Sequence, residues 1–213
     1  MIRKELKYTL NKGNFDIFSS HLIENGFSQI FKERSICSLY YDTDSFKLFN
    51  LSEDGQHERK KFRIRFYDQN TSEAFLEIKE KKGSAGWKTK LDLTDFKNLV
   101  LITSNSFMSF KIPKVIDLGL IPLIGVSYHR NYFISNCSRV RLTFDRELTY
   151  GKILRFSNEF NVEFNIASEI DIVELKLDLN HDLHSSRLKP IFENYNLILS
   201  KFSKYCTGIK MIY

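Results

Sequence analysis

Lys61-Phe62-Arg63-Ile64-Arg65-Phe66-Tyr67 sets a cation at every second position from Lys61 to Arg65, with an apolar side chain between each pair. Successive side chains of a strand point to opposite faces, so this stretch reads as a β-strand with one apolar and one cationic face. The parity recurs outward from it. Glu77 and Lys79 alternate with Leu76 and Ile78, and Lys88 and Lys90 share a face after Trp87. Arg139, Arg141, Thr143 and Asp145 alternate with Val140, Leu142 and Phe144. Glu174 and Lys176 alternate with Val173, Leu175 and Leu177, while Glu5 and Lys7 alternate with Leu6 and Tyr8. One such strand reads as half-buried with a solvated polar face. Six read differently, because a solvated face mixes in Thr, Ser and Gln, whereas these carry Arg, Lys and Glu almost exclusively.

The expected class is therefore α+β, mainly β. The expected architecture is a closed antiparallel eight-stranded barrel with a few flanking helices, apolar faces packed outward and charged faces lining the interior. A barrel of about eight strands has a lumen wide enough for one small ligand. The further strands read as Arg3 to Leu10, Cys37 to Tyr41, Ala74 to Lys81, Trp87 to Leu93, Leu123 to Phe133, Val140 to Leu148 and Ile170 to Leu177. Helices are expected over Asn14 to Asn25, closed by Gly26, over Thr94 to Leu101, and over Leu188 to Tyr205, with Gly208 as a stop. Asp68-Gln69-Asn70-Thr71 reads as a hairpin break. With 213 residues and no repeat or linker-like tract, one domain spanning 1–213 is expected.

Net charge is +6, from 32 basic and 26 acidic residues. That excess suits a phosphate-rich ligand, nucleic acid or an anionic surface, so placement must decide. Three cysteines without a CxxC pair read as reduced thiols. The charged start lacks the apolar core of a signal peptide, and no apolar run approaches the roughly 20 residues of a membrane span. A soluble cytoplasmic protein without direct membrane insertion is expected.

A cation-lined interior is costly when empty, through repulsion and desolvation, and calls for a polyanion. Arg offers phosphate a planar fork of donors and Lys a compact charge. A carboxylate beside phosphate is repulsive unless a divalent cation lies between them, and Mg²⁺ or Mn²⁺ binds through one or two carboxylates plus substrate phosphates. Glu174 and Glu5 are the leading metal candidates; Glu77 reads either that way or as an ion-pair partner of its lysine neighbours. A single-strand nucleic-acid platform needs aromatic rings among its cations. Here Phe62, Ile64 and Phe66 lie opposite Arg63 and Arg65, so nucleic acid is not an expected partner. His181 and His184 lack a third ligand at zinc spacing and read as loop residues. No P-loop or nucleophile elbow is present.

Eight segments, taken together, resemble the vacuolar transporter chaperone (VTC) domain, a branch of the triphosphate tunnel metalloenzymes. They are Arg3-Lys4-Glu5-Leu6-Lys7-Tyr8, Tyr40-Tyr41-Asp42-Thr43, Lys61 to Tyr67, Glu77-Ile78-Lys79 with the later Lys90, Tyr128-His129-Arg130-Asn131-Tyr132, Arg139 to Asp145, Glu174-Leu175-Lys176, and Ser203-Lys204-Tyr205. The resemblance implies that Arg63, Arg65, Lys79, Lys90, Arg130, Arg141 and Lys204 bind phosphates, with Lys79, Lys90, Lys204 and Arg130 nearest the chemistry. It implies that Lys7 and Lys201 assist, that Glu174 holds Mn²⁺ or Mg²⁺, and that Tyr128 contacts the nucleotide or lines the tunnel mouth. ATP or another triphosphate, and polyphosphate, are the implied partners. The implied activity is polyphosphate polymerisation from the ATP γ-phosphate; triphosphate hydrolysis and turnover-free binding are the alternatives. The membrane and inositol-polyphosphate-sensing segments of eukaryotic polymerases are not in this sequence. Glu5 stands without the ExExK spacing of the cyclase and thiamine triphosphatase branch, which favours the polymerase-like branch and one metal.

Overall fold

The computed structural model describes residues 3–83, 85–92, 107–110, 119–156, 159–178 and 188–213. In chain order the elements begin β1 (Arg3–Asn11), α1 (Phe15–Glu24), β2 (Phe27–Asp42), α2 (Lys47–Glu53), β3 (Glu58–Tyr67), β4 (Asn70–Lys82) and β5 (Ala85–Asp92). They continue with β6 (Phe107–Phe110), β7 (Ile121–Ser135), β8 (Val140–Phe156), β9 (Glu159–Glu163), β10 (Ile166–Ala167) and β11 (Ile170–Asp178). The last are α3 (Leu188–Asn194), β12 (Ile198–Leu199) and α4 (Lys204–Ile212). The expected helix over Thr94 to Leu101 and the His181/His184 pair lie outside the described residues.

The protein is mainly antiparallel β with a few helices. The hydrogen-bonded order is β12-β1-β11-β8-β7-β2-β3-β4-β5, with β10 and β9 pairing β8 and β6 pairing β9. This path has two ends, so the described sheet is open, and the expected closed eight-stranded barrel is corrected. The reason lies at the ends. The two-residue β12 engages only Tyr8 and Thr9. Among the described residues β5 is paired along one edge, to β4.

Contacts divide the chain into two compact units. The first holds residues up to 34, 128–148 and 168–202. Its core gathers Tyr8, Leu10, Phe18, Leu22, Phe133, Leu142, Phe144, Val173 and Leu175. These are the apolar partners of the alternating strands together with the buried stripe of α1. Gly26, at φ +83°, follows that helix in a left-handed conformation open to glycine and closes it as expected.

The second unit holds residues 35–127, 149–167 and 203–213. Its core gathers Leu39, Tyr41, Phe62, Ile64, Phe66, Leu76, Ile153 and Val162. β3 and β4 join through Asp68 and Gln69, at φ 52° and 58°. Two successive positive-φ residues make the tight hairpin turn whose twist matches its strands.

Four further expectations are corrected. β2 begins at Phe27 and β8 runs to Phe156, well beyond the expected stretches. The single helix over 188–205 is α3, β12 and α4: Asn196 turns left-handed at φ 50°, and Ser203 restarts a helix by accepting from the Cys206 amide at 3.3 Å. Gly208 is not a stop but lies inside α4, where an added Cβ would come within 2.6 Å of Ile124 and 2.8 Å of Tyr150.

Candidate functional site

In the second unit, register turns strand parity into rows. Lys61 stands opposite Lys79, and Lys79 opposite Lys88. The next row runs Tyr40, Arg63, Glu77, Lys90, and the one after it Ser38, Arg65, Phe75. Like charges directly opposite one another destabilise a sheet, so three aligned lysines are a cost that calls for another reason. Of the expected phosphate binders, Arg63, Arg65, Lys79 and Lys90 thus share one face.

Each is held differently. Arg65 is only 4% exposed and donates through Nε to Ser38 Oγ at 3.0 Å. Arg63 donates to Tyr40 Oη at 2.9 Å and ion-pairs with Glu77. Glu77 is 1% exposed and also pairs with Lys88. Burial opposes its ionisation, but Arg63, Arg65 and Lys88 outweigh that and hold the carboxyl below its ordinary range. In the structure Glu77 is thus an ion-pair partner of Arg63 and Lys88. Lys90 Nζ lies 3.9 Å from the Phe75 ring centroid, a cation–π distance. Lys61 donates to Ser203 Oγ at 2.7 Å, ahead of Lys204 at the start of α4.

Asp42 organises that corner. Its Oδ1 accepts from the Thr43 and Leu48 amides at 2.7 and 2.8 Å, its Oδ2 from the Phe49 amide at 2.8 Å and from the Tyr205 hydroxyl. The carboxylate saturates donors at the start of α2 and ties α4 to β2 through the residue after Lys204.

In the first unit, Glu5, Lys176 and Arg141 form one cross-strand row and Lys7, Glu174 and Thr143 the next. Glu174 accepts an ion pair from Lys176 at 2.9 Å. Burial pushes its carboxyl up, but Lys176, Lys7 and Arg130 prevail and hold it well below the usual carboxylate range. Lys7 Nζ donates to the Phe202 carbonyl at 3.3 Å and lies 3.7 Å from Glu5. Arg130 is clasped by Asp145, Nε to Oδ1 at 2.5 Å and Nη2 to Oδ2 at 2.7 Å, with its guanidinium 5.4 Å from the Tyr128 ring centroid. Asp145 is fully buried. Arg141, Glu5 and Lys201 are exposed, so Lys201 is not drawn in as Arg130 and Glu174 are.

Strand parity had put Asp145, Lys61, Lys88 and Lys176 on the charged faces without giving any of them a part, and Tyr40 and Ser38 were missed. The signal for Tyr40 and Ser38 was present: both lie at alternate positions of β2, but their neighbours are apolar and no charge marked the face.

Among the described residues no three His, Cys, Asp or Glu side chains gather as a metal cluster. The donors that exist still fit a hard cation held in part by a ligand. Glu174 is kept ionised, and the Thr143 hydroxyl across the ladder is buried without a hydrogen-bond partner. Oxygen donors of this kind suit Mg²⁺ or Mn²⁺ when phosphate supplies the remaining ligands.

The VTC domain profile matches residues 2–213. The chain belongs to the VTC domain family. No curated protein matches its sequence significantly. Among solved structures it is similar to a candidate adenylyl cyclase from Hippeastrum, reported to have a dominant triphosphatase activity, at 15% identity and a TM-score of 0.58 over 99% of this chain and 96% of that one. It is also similar to a candidate adenylate cyclase from Vibrio parahaemolyticus, at 14% identity and a TM-score of 0.52 over 97% and 98%. A conserved hypothetical protein from Pyrococcus furiosus gives 14% and 0.52 over 96% and 99%. At these identities the likeness is one of fold. Among the described residues no helix is long and apolar enough to cross a membrane.

Proposed function

We propose that this protein catalyses metal-dependent phosphoryl transfer on a nucleoside triphosphate or polyphosphate, transferring the γ-phosphoryl of ATP to a phosphate chain. The observation that carries the reading is the row Lys61, Lys79, Lys88, three lysines directly opposed on adjacent strands. Such a row is stabilised by a polyanion with evenly spaced charges. Membership of the VTC family supports the same substrate class.

Arg63, Arg65 and Arg141 bind phosphate oxygens, and Lys7, Lys201 and Tyr128 support them. Lys79, Lys90, Lys204 and Arg130 neutralise charge on the transferred group and the leaving diphosphate. Phosphoryl transfer depends on such positioning and charge stabilisation more than on covalent chemistry. Mn²⁺ or Mg²⁺ held by Glu174, with Glu5 the weaker second candidate, supplies Lewis acidity and a template for phosphate oxygens. Asp145 fixes the plane of the Arg130 guanidinium, and Glu77 fixes that of Arg63. A phosphate acceptor arrives ionised, so no strong general base is required of this chain.

Incubation with γ-labelled ATP and Mn²⁺ tests the reading, with products separated by length. Label in long chains is expected. Label found only in free phosphate replaces polymerisation with triphosphate hydrolysis, the reading favoured by the likeness to the Hippeastrum protein. Glu174→Ala is expected to raise sharply the metal concentration needed for activity, or to abolish activity, and an unchanged metal dependence would remove Glu174 as ligand.

A further inference from the structure

Among the buried polar groups that the proposed mechanism does not use is the Tyr40 hydroxyl. Tyr40, on β2, is 4% exposed and sits in the cross-strand row with Arg63, Glu77 and Lys90. Its ring stacks on Tyr205, centroids 5.3 Å apart at 25°, and the Arg63 guanidinium lies 5.7 Å from its centroid. Its oxygen accepts from Arg63 Nη1 at 2.9 Å. Among the described residues nothing accepts the hydroxyl's own proton. A buried donor without an acceptor is costly, typically about 1–3 kcal/mol, and it marks a place where a partner is missing.

The groups facing this hydroxyl narrow the partner. β3 brings Arg63 and Arg65, and α4 brings Lys204 and Tyr205. From β8 Tyr150 bears on the same ring. Glu77 is the nearest carboxylate in the row, and it is committed to Arg63 and Lys88. Tyr205 directs its own hydroxyl hydrogen bond to Asp42. The hydroxyl is therefore a lone donor ringed by cations, an environment made for an anionic oxygen.

We propose that Tyr40 is a proton-sensitive ligand of the phosphate chain: as phenol it donates to a phosphate oxygen, and as phenolate it neutralises Arg63, Arg65 and Lys204 in the phosphate's place. The inference rests on the functional reading above and adds a ligand and a pH dependence to it. Burial opposes ionisation of this phenol, but Arg63, Arg65 and Lys204 prevail and bring it down to about 8. Phosphate binding requires the protonated form. By linkage, affinity is at its full value below that pH, and it falls by up to about tenfold per unit as pH rises through it.

The test follows tyrosinate absorbance and tripolyphosphate affinity together, in the full chain, from pH 6.5 to 9.5. One tyrosine is expected to ionise near pH 8, to be absent in Tyr40→Phe, and to move up by a unit or more when tripolyphosphate saturates the protein. Wild-type affinity should drop roughly tenfold more than that of Tyr40→Phe between pH 7.5 and 9.5, which cancels the ligand's own ionisation. At pH 7 Tyr40→Phe should bind about fivefold to tenfold more weakly, as one lost hydrogen bond requires. Tripolyphosphate that binds with the same pH profile in both proteins overturns the inference alone. So does a tyrosine titration that tripolyphosphate leaves unmoved. Failure of tripolyphosphate to bind at any pH overturns the functional reading, and this inference with it. The wild-type titration decides the matter even if the variant folds poorly.

Discussion

Asp145 grips Arg130 with both carboxylate oxygens, Oδ1 at 2.5 Å from Nε and Oδ2 at 2.7 Å from Nη2. A planar fork held at two points cannot rotate, so the remaining edge of the guanidinium has a fixed direction. Asp145→Asn keeps the shape and removes the charge. It is expected to cut triphosphate turnover by roughly tenfold, the worth of one charge-assisted bond. Combined with Arg130→Lys it should add little, because both changes break one unit. Steady-state kinetics of the two single variants and the double variant measure this; additive losses would separate Asp145 from Arg130.

Glu77 gives a pH signature of stability. Its folded carboxyl titrates below its ordinary range, because Arg63, Arg65 and Lys88 outweigh the burial that opposes its charge. A depressed carboxylate contributes stability that is fully present above its unfolded value of about 4.3 and is lost as pH falls through the folded one. Glu77→Gln should therefore cost about 3 kcal/mol at pH 7. The gap to wild type should begin to narrow below about pH 4.3 and shrink further as pH falls toward the folded value. Urea melts at pH 7 and pH 3.5 test it, and a gap independent of pH would contradict it.

Asp171 runs the other way. Burial pushes its carboxyl up to about 6, against the pull of the Glu147 and Gly13 amides, Lys12 and Arg146, and its Oδ1 has no hydrogen-bond partner. A raised carboxyl gives stability that is present below the unfolded value of about 3.9 and is lost as pH rises through 6. Asp171→Asn is thus expected to stabilise the protein by about 1–2 kcal/mol at pH 7 and by nothing at pH 3.5. Thermal melts across that range check the sign.

Gly208→Ala places a methyl group 2.6 Å from Ile124 Cδ1 and 2.8 Å from Tyr150 Cδ1, inside the packed second unit. Overpacking of this kind costs about 1–3 kcal/mol, more than the gain in helix propensity. A rise in melting temperature would refute the tight contact.

Strand parity made the charged faces legible, because the position of Arg63 between Phe62 and Ile64 is a local fact. What each charge touches was not, since Glu77 meets Arg63, and Arg130 meets Asp145, only once register is set by turns and bulges. The start of β2, from Phe27 to Arg34, carries polar and apolar residues on a largely exposed ladder and gave no period to read. α2 escaped because its cap is Asp42, five residues ahead of Lys47, while Phe46 enters it at φ 57°. The barrel was inferred from a number of strands, and closure is a property of the two edges, which composition does not report.

The turn at Asp68 and Gln69 is small, two residues between paired Tyr67 and Asn70, yet it works like a reading frame. Together with the irregularity between Arg65 and Tyr67 it fixes which residue of β4 meets which residue of β3, and from the Arg65–Phe75 pair outward parity propagates the choice along both strands. A one-residue slip of that register beyond Phe75 would send Glu77 and Lys79 into the core and Leu76 and Ile78 into the cationic face. In this part of the chain the code for binding charge is written in length as much as in lysine and arginine.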